Sequence, residues 1–207
     1  MIKINLHGTF AGAVIMLTAC TTTTTLEPAP TPAPTSSSAG DFDDYLAALA
    51  DRESSGDPSV ENSFGYLGLY QMGEMALDDA NWYRETSPDT QPNDWIGSWL
   101  GDAPSFSVTS KETFLGNISG QNSAINSYYD RVWGYVKYYG LHNYEGDTIN
   151  GIDITRSGLL AGCHLTGIGT LKDYLQTNGA SVTVDGYGTS IEEYLTLFAN
   201  YDTPYTP

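Results

Sequence analysis

The chain predicts a mainly α-helical domain, and three observations carry that expectation. Apolar residues recur at three- and four-residue spacing over 42–50, 125–139 and 191–198. A run of small and apolar residues fills 157–175. Pro, Gly, Ser and Asn gather instead in 86–121, which reads as loop with one short element at most.

The elements follow in order. Phe42, Tyr45, Leu46, Leu49 and Ala50 form one stripe, with Asp41, Asp43 and Asp44 in the first turn, where the helix dipole favours acids. Ile125, Tyr128, Tyr129, Val132, Val136 and Tyr139 make a second stripe, and Gly140 stands where a C-cap glycine belongs. The third helix adds Leu171, Tyr174 and Leu175 to its small-residue start. The last opens on Thr189-Ser190-Ile191-Glu192, read as a capping box, and turns Ile191, Tyr194, Leu195 and Phe198 inward. Asp147–Asp153 and Asp185-Gly186-Tyr187-Gly188 lack the ligand spacing of a calcium loop, so they read as turns. No internal repeat is visible.

The N-terminus carries Lys3 and then an apolar core, Ala11–Leu17, too short to span a bilayer. It closes on Leu17-Thr18-Ala19-Cys20, which resembles the bacterial lipobox. That resemblance implies cleavage before Cys20, acylation of its thiol and anchorage to a membrane; Thr21 after it points to the periplasmic face of an outer membrane. An ordinary secretory signal, with a secreted or cell-surface product, is the alternative. Residues 21–40 are rich in Thr, Pro and Ser and read as an extended tether, on the order of 60 Å at about 3 Å per residue. The organisation expected is therefore a signal at 1–19, a lipidated Cys20 with linker to 40, a folded domain at 41–202 and a tail at 203–207.

The net charge of −17 excludes nucleic acid and anionic lipid headgroups as natural partners. With Cys20 lipidated, Cys163 has no partner for a disulfide and reads as a small buried residue. Three scattered histidines give no metal cluster, so neither metal nor other cofactor is expected. A monomer is expected.

One carboxyl stands out. Glu53 lies eleven residues after Phe42, about 20° from it on a 100° wheel, so it falls on the apolar stripe at the helix's C-terminal end. Desolvation and the helix dipole there both favour a protonated acid, the state a general acid needs. A buried structural Glu paired with Arg52 or another residue is the competing reading.

The residues that follow bear on that choice. Glu53-Ser54, Pro58 and Gly65-Tyr66-Leu67-Gly68-Leu69-Tyr70-Gln71-Met72 resemble the lysozyme-like domain of the soluble lytic transglycosylases, in which a catalytic Glu-Ser ends one helix and a G-x-x-G-L-x-Q-[MI] segment opens the next. The clear likeness covers residues 41–80. It implies a lysozyme-like fold and a peptidoglycan-cleaving enzyme, with glycan strands as partner. In that family the Glu protonates the bond between MurNAc and GlcNAc, and the muramic C6 hydroxyl then attacks to leave a 1,6-anhydro end. By the same resemblance Glu53 is the catalytic residue, and Ser54, Gly68, Leu69 and Gln71 contact substrate.

Downstream, Ala161–Gly167 stands in place of the family's A-x-Y-N-A-G segment, with Cys163 and His164 for its Tyr and Asn, and Tyr194 resembles its late cleft tyrosine. His164 and Tyr194 complete the expected substrate-binding set. Each also reads as structural, His164 as a satisfied buried histidine and Tyr194 as part of its helix stripe. Asp57, Glu61 and Glu74 are the nearby acids that a two-carboxyl muramidase would draw on. Trp95 and Trp99 are the tryptophans best placed for a cleft wall. A non-catalytic wall-binding lipoprotein is the third reading.

Overall fold

The computed structural model describes residues 38–86 and 92–207, all within one compact unit, Ser36–Pro207. The signal at 1–19, Cys20 and the linker up to residue 37 lie outside the described residues, so anchorage and tether stay expectations.

Within that unit the fold is mainly α. Helix α1 (Phe42–Ser54) begins at Asp41, whose carboxylate accepts the Asp44 amide while Asp44 accepts the Asp41 amide, so one reciprocal pair satisfies two otherwise free N–H groups. After α1 the chain runs through tight turns to α2 (Glu74–Asp79) and a small antiparallel pair, β1 (Tyr83–Glu85) and β2 (Gly97–Trp99). A 3-10 turn at Ala103–Phe106 and α3 (Lys111–Leu115) lead into α4 (Ile118–Tyr138). The hairpin of β3 (Thr148–Ile149) and β4 (Ile152–Asp153) precedes α5 (Arg156–Gln176), and α6 (Ile191–Leu197) comes last.

The helical stripes do what their spacing predicts, except at Tyr139, which stands past the end of α4 and is exposed. Tyr45 and Leu49 of α1, Ile125 and Tyr129 of α4, Leu159, Leu171 and Tyr174 of α5 and Ile191 and Leu195 of α6 meet in one core. Burying side chains of this size contributes about 1.5–3 kcal/mol each. Gly140 ends α4 in the left-handed conformation, as its position predicts. Asn150-Gly151 makes the β3–β4 turn with both residues at positive φ, the chemistry expected of Asp147–Asp153.

Three boundaries differ from the sequence reading. Residues 86–121 hold β2, a 3-10 turn, α3 and the start of α4, because Ser110 and Asn117 cap helices whose first turns are polar and therefore show no stripe. The α6 cap is Ser190, one residue after Thr189; its hydroxyl accepts the Glu193 amide, the Glu193 carboxylate pairs with Arg52 rather than closing a box, and Glu192 takes hydrogen bonds from Tyr174 Oη and Asn150 Nδ2. Residues 203–207 are docked rather than trailing: Tyr205 stacks on Trp133 at 5.7 Å, and the Thr206 carbonyl accepts from Trp133 Nε1 at 3.0 Å.

Candidate active site

Glu53 sits in the last turn of α1, its side chain only 16 % exposed. Tyr194 Oη, from α6, donates to Glu53 Oε1 at 2.6 Å. His164 Nε2, from α5, lies 3.5 Å from the same oxygen. Three helices far apart in sequence thus converge on one carboxylate. Arg52 is not its partner; that guanidinium bonds Glu193 at 2.6 Å.

The three groups differ in electrostatic character. Burial pushes the Tyr194 hydroxyl well above its ordinary range, and the Glu53 charge pushes the same way, so Tyr194 remains a proton-bearing donor. Burial lowers His164, against the opposing pull of Glu53 and the Tyr70 carbonyl. The ring is therefore neutral near pH 7, and the 3.5 Å approach is not an ion pair. His164 packs against the rings of Tyr128 and Tyr129, and its Nδ1 is buried without a hydrogen bond of good geometry.

Glu53 and His164 open onto a cavity of about 740 Å³, within the usual range for ligand sites of 300–1,000 Å³. Its walls come from the 61–66 loop, Gln71, the 92–94 turn, Leu165 and the 185–187 turn. The kink between the two halves of α5 lies just beyond, at Gly167, whose φ of 79° breaks the helix. It follows His164 and Leu165, the two α5 residues on the cavity wall.

Of the residues singled out from sequence, Glu53, Gln71 and His164 line this cavity, and Tyr194 stands behind Glu53. Ser54, Gly68 and Leu69 are not on its wall and build its frame instead. Ser54 Oγ donates to the Ala50 and Leu69 carbonyls at 3.0 Å each, tying the helix end to the following turn. The Leu69 amide donates to Gln121 Oε1 at 2.8 Å. Gly68 has φ of 72°, and a Cβ there would collide with the Gln121 carboxamide, so its close approach is to protein. The 65–72 segment is a tight hairpin closed by the Leu67–Met72 pair, and α2 starts only after Gly73. Gln71 folds back, its Nε2 donating to the Gly68 carbonyl at 2.9 Å.

Of the three nearby acids only Glu61 lines the cavity, where it pairs with Lys111 at 2.9 Å. Asp57 accepts from the Ser59 amide and hydroxyl, bonds that hold its carboxyl below the usual range. Glu74 is buried away from the wall, and that burial raises its pKa. No tryptophan lines the cavity. Trp95 and Trp99 stack on each other at 5.9 Å, and Tyr83 and Phe114 meet them at 5.2 Å each, so their faces are taken up by an aromatic cluster. Trp95 still bears on the site, since its Nε1 donates to the Gly65 carbonyl at 2.9 Å.

Sequence reasoning did not find the cavity's own aromatics, Phe64, Tyr66 and Tyr187, nor Asn93, whose carboxamide accepts the Glu74 amide and donates to the Phe64 carbonyl. Asp185-Gly186-Tyr187-Gly188 forms a turn in which Asp185 accepts the Tyr187 and Thr189 amides, and it faces the cavity too. The available signal was Phe64 and Tyr187 as large aromatics amid turn-forming residues. Scans of the chain against protein-family models, curated proteins and solved structures return no match.

Proposed function

We propose that the protein is a lytic-transglycosylase-like enzyme with a lysozyme-like fold, cutting the β-1,4 bond between MurNAc and GlcNAc in peptidoglycan. The observation that carries this reading is the Tyr194–Glu53 hydrogen bond of 2.6 Å at the edge of the cavity, with His164 alongside. A partly exposed carboxyl held by a neutral donor can give a proton and take one back. Glu53 protonates the glycosidic oxygen and the C1–O bond breaks. The carboxylate then accepts the proton of the muramic C6 hydroxyl as that oxygen bonds C1, leaving a 1,6-anhydro end. His164, neutral and at the wall, offers a polar contact to an acetamido group.

A hydrolytic muramidase is the second reading, favoured by one observation: Glu61, Asp94 and Asp185 also line the cavity. Product masses from digested sacculi separate the two, because reducing muramic ends would exclude the anhydro route. A Cys20 lipid anchor at the periplasmic face of an outer membrane belongs to the same proposal. It would bring an acidic domain to an anionic wall by effective concentration rather than by charge. Radiolabelled palmitate incorporation, lost on Cys20→Ala, tests that part.

A further inference from the structure

The 61–66 loop and the 185–187 turn both line the cavity, and they touch. Phe64 meets the Tyr187 ring edge-on at 5.1 Å between centroids, and Ser63 Oγ lies 3.2 Å from Tyr187 Oη. The fit is built: a Cβ on Gly186 would come within 3.2 Å of the Phe64 ring, and Asp185 holds the turn through two backbone amides. Asn93 Nδ2 braces the other side by donating to the Phe64 carbonyl at 3.0 Å. The contact is at the surface, with Phe64 50 % and Tyr187 63 % exposed, whereas the His164 side chain is 7 % exposed. The bridge is therefore far more open to solvent than His164, which lies beside Glu53.

We infer that this bridge is a specificity determinant: it bars a glycan strand from lying through the cavity between the two loops, so that strands are engaged from an end. This inference rests on the proposed glycan cleavage and adds where along a strand it occurs. A polymer cannot pass between two loops that are in contact, whereas the end of a strand need not pass between them to reach the cavity. The bridge is held by one aromatic contact and one hydroxyl pair, both at the surface, so small substitutions should part it. Tyr187→Phe removes the hydroxyl pair alone; Phe64→Ala with Tyr187→Ala removes both.

The test follows fragment lengths over time on purified, uncrosslinked glycan strands. The wild type should release short terminal fragments from the first time points while long strands persist. The double alanine variant should at least triple the share of mid-length fragments at equal bond cleavage, with Tyr187→Phe between them. Mid-length fragments from the wild type at the outset would overturn the inference. So would a variant that shows only a raised KM with an unchanged length distribution, which would make the two rings a stacking surface for sugars. If the wild type cleaves nothing, the proposed function fails and takes this inference with it; cleavage with an unchanged pattern leaves the function standing and removes the bridge. Circular dichroism of each variant guards against loss of fold.

Discussion

Tyr194→Phe isolates the hydrogen bond on which the site turns. The substitution removes one oxygen and leaves the ring, which is buried and packs on Phe198 at 5.1 Å. What is lost is a 2.6 Å donor to a carboxylate. Hydrogen bonds to charged groups contribute about 1.5–3 kcal/mol. At about 1.4 kcal/mol per tenfold, that range corresponds to roughly 10–150-fold in rate. Because the Glu53 side chain is 16 % exposed, water can replace part of the lost bond, so the lower half of the range is expected, about 10–40-fold. The loss should fall on kcat, since Tyr194 is behind Glu53 and not on the cavity wall, with KM held within about twofold. Steady-state release of soluble fragments from purified sacculi measures both. A folded variant with kcat within twofold of wild type, or one that loses only KM, would refute the positioning role.

Three further outcomes follow from the geometry. Gln121→Leu leaves the Leu69 amide and the Pro58 carbonyl without their partner, and at about 1–3 kcal/mol per buried orphan it should cost roughly 2–4 kcal/mol in urea denaturation; a loss under 1 kcal/mol contradicts the scaffold role. Tyr45→Phe strands the buried Tyr129 hydroxyl, 2.8 Å away, and should destabilise by about 1–3 kcal/mol while leaving kcat unchanged, so a selective fall in kcat would contradict that assignment. His164 has its pKa lowered by burial, so below its ordinary value of 6.5 the unfolded chain binds more protons than the native one. Stability from this group is thus fully present above pH 6.5 and lost as pH falls below it, and His164→Asn should flatten that part of a melting-temperature profile. An unchanged slope in the variant would mean that another group carries it.

Elements whose face is read directly from spacing were legible. The stripes at Tyr45–Ala50, Ile125–Val136 and Ile191–Phe198 are buried as their periodicity implies, since one-sided burial is what produces that pattern. Glu53 was legible for the same reason, and its approach to His164 and Tyr194 was expected only through the resemblance. Helix α3 and the first turns of α4 were not, because their start is fixed by the Ser110 and Asn117 caps rather than by apolar spacing. Gly68 and Leu69 were placed at the site by resemblance, and the structure puts them in its frame rather than on its wall. A glycine that lets backbone approach a ligand looks in sequence like one that lets it approach Gln121, 53 residues away. The cavity's far wall was illegible because Phe64 and Tyr187, 123 positions apart, are brought together by turns and not by any periodic element.

The measurement that bears most directly on the central claim compares wild type and Glu53→Gln on purified sacculi, with product masses recorded. Gln keeps the size of the side chain and can still accept from Tyr194, but it can neither give nor take the proton the reaction needs. The account predicts 1,6-anhydromuramic fragments from the wild type and at least a thousandfold loss, on the order of 4 kcal/mol, from a variant that melts within a few degrees of it. Undiminished cleavage by Glu53→Gln, or a wild type that leaves the strands intact, would contradict it.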